Sequence, residues 1–380
     1  MTLLAALTLL ALVIWLGMIF CHGRYWQAGP ILPPAPGDLV LPSVDIVVPA
    51  RDEAPYIAQA IGSLTRQLLP GGAAPRVILV DDGSTDGTAE IARKAAEGAP
   101  NPLTILTGAA KPPGWSGKLW AVSQGVAESR AELVLLTDAD IAHEPDHLAR
   151  LVARAEAEGL DLVSEMVLLN CQSFPERALV PAFVYFFQLL YPFAQVADPR
   201  RRMAGAAGGT VLLRRKALDR AGGIAAVRGA LIDDVTLGRA IKESGGRLWL
   251  GHTKRARSIR LYPHFSDIWA MIARTAYVQL KFSPLNLLGT IIGMLLVWLL
   301  PPAAALFAHG TPRTFGLLAW GLMAGSYIPS LKRYELSVLW APFLPLVALF
   351  YMAATVGSAV NHMRGRSVMW KNRVYGNEAS

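Results

Sequence analysis

The chain has 380 residues and a formal net charge of +8; hydrophobic residues make up 53% of it and charged residues 17%. Because a soluble domain carries about 25% charged residues, this composition excludes an ordinary soluble protein. The positive charge does not predict a nucleic-acid partner, since basic residues cluster beside apolar segments and no aromatic and basic residues interleave as in nucleic-acid motifs. The two cysteines, Cys21 and Cys171, form no disulfide framework and suit a reducing compartment.

Apolar runs predict membrane segments near both ends of the chain. Residues 3–20 carry no charge, no positive region precedes them and no small-residue cleavage site follows, so they predict an uncleaved anchor. Residues 285–307 and 338–360 are also long enough to span a bilayer, whereas 314–328 is shorter. Three crossings after the globular region would put the basic tail outside, against the positive-inside rule. Either Pro301-Pro302 splits the first of these segments into a re-entrant or in-plane piece, or one of the three does not span.

Basic residues set the predicted orientation. His22, Arg24 and Lys281 flank the membrane segments on the side of the globular region, which predicts a multi-pass protein of the cell inner membrane with that region in the cytoplasm. Residues 179–197 are apolar and aromatic but contain two prolines. They are either a core element or an interfacial helix at the membrane surface.

Sequence patterns divide the chain into five parts. We predict an N-terminal membrane anchor (1–21), a Pro/Gly-rich linker (22–42), an α/β domain (43–280), C-terminal membrane segments (281–362) and a basic tail (363–380).

Within the α/β domain, strand-like and helix-like stretches alternate. The strands are predicted at 44–49, 77–80, 103–106 and 132–138, and the helices at 54–68, 86–96 and 118–129, with Ser84 or Thr85 as the N-cap of the second helix. Strands that alternate with helices predict a mainly parallel, Rossmann-like sheet that binds its ligands at the carboxyl ends of the strands.

Two carboxylates, Asp138 and Asp140, follow the apolar strand that ends near Thr137. Mg²⁺ and Mn²⁺ prefer oxygen ligands, and Mg²⁺ is typically held by one or two carboxylates plus substrate phosphates. This tripeptide therefore predicts a divalent cation that bridges a diphosphate. Alone it is weak, because Asp-x-Asp strings are also common in solvated turns.

Acidic residues also end the first two strands. The segment 49–53 (Pro-Ala-Arg-Asp-Glu) follows the first strand, and Asp82 ends the second. A carboxylate in that position can accept a hydrogen bond from a nucleobase or a ribose. The alternative is a turn that only caps the next helix, which we prefer for Asp86. No G-x-G-x-x-G follows the first strand, which disfavours a dinucleotide-dependent oxidoreductase.

A third acidic pair, Asp233-Asp234, precedes the helix-like stretch 235–243. With the motifs above and the segment Pro113-Gly114-Trp115-Ser116-Gly117-Lys118, it resembles the family 2 glycosyltransferases, which are inverting enzymes with a GT-A fold. Among them, the membrane enzymes associated with hopanoid biosynthesis in bacteria are the most similar. From the residues alone, Asp234 is either a general base or a helix cap.

The resemblance implies a role for each matching residue. The nucleotide pocket would be lined by Pro49, Ala50, Arg51 and Glu53, and Asp82 would bind the uracil of a UDP-sugar. Lys118 and Arg274 would contact the diphosphate. Asp138 would face the ribose and the metal, Asp140 would bind Mg²⁺ or Mn²⁺ together with Asp138, and Asp234 would be the general base.

The implied function is the metal-assisted transfer of one sugar, with inversion, from a nucleotide-diphosphate donor to a lipid hydroxyl of the hopanoid kind. Processive family members carry Gln-x-x-Arg-Trp, whereas residues 269–276 retain only Arg274 of that motif, so a single transfer is expected. The alternatives are a polyprenyl-phosphate glycosyltransferase and a non-catalytic membrane scaffold that binds nucleotide.

Overall fold

The structure is a computed structural model that describes residues 2–37, 41–72 and 74–365, with backbone alone at 369–370 and 373–374. The strands are β1 (Val44–Ala50), β2 (Arg76–Asp81), β3 (Leu103–Thr107), β4 (Leu133–Leu136), β5 (Ile141–His143), β6 (Leu162–Leu168), β7 (Val211–Arg214), β8 (Leu248–Ser258), β9 (Met369–Trp370) and β10 (Arg373–Val374). The helices are α1 (Leu3–Cys21), α2 (Ala54–Leu64), α3 (Thr88–Ala95), α4 (Gly117–Glu128), α5 (His147–Glu158), α6 (Phe174–Leu190), α7 (Phe193–Ala197), α8 (Arg215–Arg220), α9 (Asp233–Glu243), α10 (Phe265–Gln279), α11 (Pro284–Met294), α12 (Leu300–Phe307), α13 (Thr311–Arg333) and α14 (Leu344–Met363).

Eight strands form one mixed sheet in the order β3-β2-β1-β4-β7-β6-β8-β5. Strands β1 to β4 pair in parallel, β6 pairs with β8 in parallel, and β7 and β5 run antiparallel to their neighbours. The predicted α/β fold with a mainly parallel sheet is confirmed. Strand order reverses beside β1, since β2 lies on one side of it and β4 on the other, and ligands of such sheets bind at this switch point.

The central strands are buried on both faces, which explains their continuous apolar sequences. Ile46 and Val48 of β1 face a core that also contains Ile57 of α2 and Leu148 of α5. Val47 points to the opposite face, where α4 approaches so closely that a Cβ atom at Gly125 would lie 2.5 Å from the Val47 side chain. Helices therefore cover both faces of these central strands.

The predicted cap of the second helix is wrong. Helix α3 begins at Thr88, and its N-cap is Gly87, which has a φ of 85° that few other residues tolerate. Asp86 instead accepts hydrogen bonds from the backbone N–H groups of Thr88 and Ala54, at 3.1 Å and 2.9 Å. Asp86 therefore holds a turn, as preferred above.

The chain divides into two units. Residues 1–29, 171–194 and 262–367 form a helical unit, and residues 30–170 and 195–261 form the α/β unit with the eight-stranded sheet. Residues 171–194 and 262–280 thus cluster with the helices, although the predicted α/β domain extends over 43–280. Of the predicted basic tail (363–380), the structure describes residues 363–365 and two short strands, β9 and β10; the rest lies outside the described residues.

Among the described residues, four helical stretches are long and apolar enough to cross a membrane: Leu3–Cys21, Phe174–Ala197, Pro284–Phe307 and Val338–Met363. Together they indicate association with a membrane. The stretch that contains Pro301 remains helical throughout, but a π-helical turn over Leu295–Leu299 precedes the proline. A wider turn fits there because proline lacks an N–H and its ring clashes with the preceding carbonyl groups.

Helix α6, which overlaps the predicted element 179–197, is largely buried inside the helical unit. The hydroxyl of Tyr185 lies 3.0 Å from that of Tyr25 and 2.7 Å from Oγ of Ser326. Tyr351 donates a hydrogen bond to the carbonyl of Leu179 at 3.0 Å. These contacts favour the core element over the interfacial helix.

Candidate active site

The predicted site residues of the α/β unit lie at one edge of the sheet. Strands β1 and β2 end at Ala50 and Asp81, and β4 ends at Leu136, so the loops that follow them emerge on the same side. Strand β7 runs antiparallel, and its first residue, Val211, pairs with Leu136, the last residue of β4. The turn before β7 therefore joins the same edge.

The loops after β1 and β2 are tied together. Pro49 and Ala50 are buried, and Asp82 donates its N–H to the carbonyl of Ala50 at 2.9 Å. Asp82 is 2% exposed, its carboxylate lies 3.6 Å from the guanidinium of Arg51, and Arg51 also donates to the Asp82 carbonyl. The expected nucleobase residue thus lies deep at the switch point, with a cation beside it.

Lys118 links two acidic motifs that are far apart in the sequence. Its ammonium lies 2.9 Å from Asp138 and 3.0 Å from Asp233. Ser116 caps helix α4 by accepting the N–H of Leu119, which places Lys118 in the first turn of that helix. Burial alone would lower the pKa of Lys118, but the two carboxylates raise it well above its ordinary value. The lysine is therefore charged, at a helix end that itself favours anions.

A second cation, Arg260, connects the carboxylates of Asp140 and Glu53. It bonds Asp140 at 2.5 Å and both oxygens of Glu53 at 2.7 Å and 2.8 Å, and its guanidinium lies over the ring of Tyr56. The sequence prediction missed Arg260. The available signal was a basic residue two positions after the end of β8. The carboxyl end of β8 lies beside the Asp140 loop, since Ile259 donates to the Asp140 carbonyl.

Asp138 and Asp140 provide carboxylate ligands for a divalent cation, and oxygens of the substrate would supply the remaining ligands. Burial raises the pKa of Asp138; Lys118 offsets part of this effect, and the nearby charge of Asp140 adds to it. Two carboxylates that repel each other are stabilised by a shared cation. Across residues 2–37, 41–72 and 74–365, no group of three or more His, Cys, Asp or Glu side chains converges to hold a metal. This donor set matches a Mg²⁺ held by two carboxylates and phosphate oxygens.

Asp234 lies in the first turn of α9 and receives two backbone hydrogen bonds. The N–H groups of Gly208 and Val235 each donate to its carboxylate at 2.8 Å. Burial, and then repulsion from Asp233, raises the pKa of Asp234 to about 7, although Lys118 and the two N–H groups oppose the rise. A carboxylate that changes charge near neutral pH suits general-base catalysis.

The helix-cap alternative for Asp234 is supported only in part. The N-cap position of α9 belongs to Ile232, and it provides no side-chain cap. Asp234 holds one N–H of its own helix, but its other oxygen holds Gly208, 26 residues away. Gly208 suits this contact because a Cβ atom there would lie 3.3 Å from the carboxylate oxygen.

Arg274, the remaining predicted residue, lies exposed on α10 in the helical unit. Its contact with the diphosphate stays a prediction, as do the roles of the other site residues.

Parts of the chain are similar to known proteins. Residues 45–222 match the family described as "Glycosyl transferase family 2". This match covers just under half of the chain. Over 135 residues the chain is 34% identical to an undecaprenyl-phosphate 4-deoxy-4-formamido-L-arabinose transferase of Pseudomonas aeruginosa, covering 35% of this chain and 37% of that protein. A protein of the same name from Salmonella paratyphi B is 31% identical over 121 residues, covering 32% and 35%.

The chain thus spans a little over a third of the length of these curated relatives. A mannosyltransferase from Pyrobaculum calidifontis, solved with GDP-Man and Mn²⁺, superposes with a TM-score of 0.58 at 19% identity, over 96% of this chain and all of that one. This likeness shows the GT-A fold. Neither relative's name mentions a hopanoid, so the specific resemblance to hopanoid enzymes stays a prediction.

Proposed function

We propose that the protein transfers one sugar from a nucleotide-diphosphate donor to a polyprenyl phosphate in the membrane. The observation that carries this proposal is the cluster at the sheet edge, in which Lys118 contacts Asp138 and Asp233, and Asp234 lies next to Asp233. The names of the two relatives support a lipid phosphate as acceptor. The apolar helices support an acceptor that resides in a membrane.

On the donor side, Asp82 would bind the nucleobase in the pocket formed by Pro49, Ala50 and Arg51. The base would be uracil if the donor is a UDP-sugar. Asp82 is nearly inaccessible, so its carboxylate would be desolvated and selective in what it bonds. Glu53 would act through Arg260, which it holds with both oxygens.

Asp138 and Asp140 would hold Mg²⁺ or Mn²⁺ together with phosphate oxygens of the donor. When bound, such an ion neutralises the charge that develops on a departing diphosphate. Lys118 would contribute to the same neutralisation because its ammonium already lies against Asp138. A donor diphosphate would replace one of its two carboxylate partners.

Asp234 would accept the acceptor's proton. A phosphate monoester has a second pKa near 6, and the Asp233-Asp234 pair would repel its doubly charged form. The singly protonated form would bind, and an oxygen of that phosphate would bond to the anomeric carbon as its proton passes to Asp234. The bond from that carbon to the donor diphosphate would break, and the nucleoside diphosphate would leave with the electron pair.

A lipid hydroxyl of the hopanoid kind is the second candidate acceptor. The observation that favours it is the pKa of about 7 at Asp234, because a hydroxyl must lose its proton during the attack and benefits more from a positioned base.

The two acceptors are distinguished by an assay of the purified full chain. Release of nucleoside diphosphate is measured with undecaprenyl phosphate and with a hopanoid alcohol. Asp234→Asn with the phosphate acceptor should regain much of its rate above about pH 6, where the phosphate loses its own proton. With the alcohol, the same variant should stay about 10² to 10⁴ slower at every pH. If wild-type protein releases nucleoside diphosphate with neither acceptor, the proposal is wrong.

A further inference from the structure

A row of four buried polar side chains lies behind the candidate active site. Its members are Glu165 on β6, His147 on α5, His143 on β5 and Thr137 after β4, and none is more than 5% exposed. Glu165 lies 2.7 Å from Nε2 of His147, the Nδ1 atoms of the two histidines are 2.8 Å apart, and Nε2 of His143 is 2.9 Å from Oγ1 of Thr137. Buried polar groups are costly unless they bond one another, and here each contact is short.

The row ends on the turn that holds Asp234. Oγ1 of Thr137 donates a hydrogen bond to the carbonyl of Gly209 at 2.8 Å. The preceding residue, Gly208, donates its N–H to Asp234 at 2.8 Å. Thr137 therefore fixes one side of a two-glycine turn whose other side bonds the candidate base. Ser164 anchors the same turn independently, since its hydroxyl bonds Ala207 and Thr210.

Counting the available protons assigns the donor and the acceptor in each hydrogen bond of the row. Thr137 has one hydroxyl proton, and if that proton points to Gly209, then His143 must donate to Thr137 through Nε2. His143 then accepts at Nδ1 from His147, and the remaining contact needs a proton between His147 and Glu165. Burial lowers the pKa of both histidines, that of His147 to about 3. Neutral rings, each with one donating and one accepting nitrogen, fit this direction.

We propose that Thr137, oriented by His143, His147 and Glu165, is a positioning residue for Asp234 that acts through the Gly208–Gly209 turn. The inference rests on the proposed function, because it assigns to the row the task of holding the base of that reaction. Without the Thr137 hydroxyl, the turn would lose its bond to the end of β4, and the Gly208 N–H would bond Asp234 less well. A weaker N–H bond to a carboxylate favours its protonated form.

The charged groups that surround Asp234 and His147 are not altered in the variants proposed below. Asp233 and Lys118 face Asp234. Asp146, Arg150 and Arg255 surround His147.

The test is the pH profile of kcat for the full-length protein, with saturating UDP-sugar and undecaprenyl phosphate. Thr137→Val removes the hydroxyl at nearly constant volume, and Thr137→Ser keeps it. Thr210→Val is a matched control, because the Thr210 hydroxyl donates to the same Gly209 carbonyl at 2.8 Å but from within the turn. We expect the acid limb of Thr137→Val to move up by about half a pH unit, which is about a three-fold loss of rate on that limb. Thr137→Ser and Thr210→Val should keep the wild-type limb.

Donor binding, measured by calorimetry, reports whether each variant is folded. If Thr137→Val binds no donor, Thr137→Ala takes its place because it leaves room for the neighbouring polar groups. A wild-type acid limb in a folded Thr137 variant without the hydroxyl overturns the inference, as does an equal shift in Thr210→Val. Asp234→Asn separates the two proposals: if it leaves the limb in place, Asp234 is not the base and the mechanism of the proposed function fails. If it displaces the limb and Thr137→Val does not, only the positioning role fails.

Discussion

Lys118→Met is the substitution whose outcome the structure defines most closely. It removes an ammonium that lies 2.9 Å from Asp138 and 3.0 Å from Asp233 and keeps a side chain of similar length. We expect weaker binding of every nucleoside diphosphate, because the lysine would contact the part that all donors share. We also expect a higher pKa for Asp234, which the charge of Lys118 lowers in the native protein.

The magnitude follows from one charge-assisted hydrogen bond. Such a bond contributes about 1.5 to 3 kcal/mol, which is about 10- to 150-fold in affinity. Lys118 must exchange one carboxylate partner for the diphosphate, so the lower part of this range is expected. Both carboxylates would then lack the lysine, and kcat near neutral pH should also fall.

Calorimetric titration of UDP, GDP and CDP, with and without Mn²⁺, measures the effect on binding. Lys118→Arg is the matched control because it keeps the positive charge, and it should bind donors more tightly than Lys118→Met. The reasoning fails if Lys118→Met binds all three nucleotides with wild-type affinity, or if it loses affinity for only one of them.

Three further predictions concern the donor site and the base. Asp140→Ala should abolish the stimulation of donor binding by Mn²⁺ or Mg²⁺; equal nucleotide affinity with and without EDTA in wild-type protein would contradict the metal assignment. Asp82→Ala should lose discrimination between UDP, GDP and CDP, whereas Asp86→Ala should lower the melting temperature and leave discrimination intact; the reverse pattern in calorimetry would exchange the two roles. In wild-type protein, kcat should fall about ten-fold per pH unit below about pH 7, because Asp234 accepts protons only when ionised; a flat profile down to pH 5 would refute its role as base.

The sequence predicted the parts of the site that depend on strand ends. Asp82 and Asp138 follow apolar strands, and parallel strands bring their carboxyl ends to one edge. The helix that begins beside Lys118 was also predictable, because a serine and a glycine precede it. These features can be predicted from the spacing of apolar residues within each element and from the rule that parallel sheets bind ligands at the carboxyl ends of their strands.

The contacts between these parts could not be read from the sequence. Arg260 bonds Asp140 across 120 positions of the chain, and no local pattern marks that pairing. The row from Glu165 to Thr137 depends on how β4, β5, β6 and α5 pack, and a buried histidine in a sequence resembles any other histidine. The cap of α3 was misassigned because the helix begins only at Thr88, after Gly87, and Asp86 accepts the N–H of Ala54, the first residue of α2.

Mass spectrometry of the lipid product tests the proposed function most directly. The purified full chain would be incubated with Mn²⁺, a panel of nucleotide sugars and undecaprenyl phosphate. We predict a lipid whose mass exceeds that of undecaprenyl phosphate by one sugar residue, formed with one nucleoside diphosphate released per lipid. Addition of several sugars, sugar transfer only to a hopanoid alcohol, or no sugar-bearing lipid from any donor would contradict single transfer to a lipid phosphate.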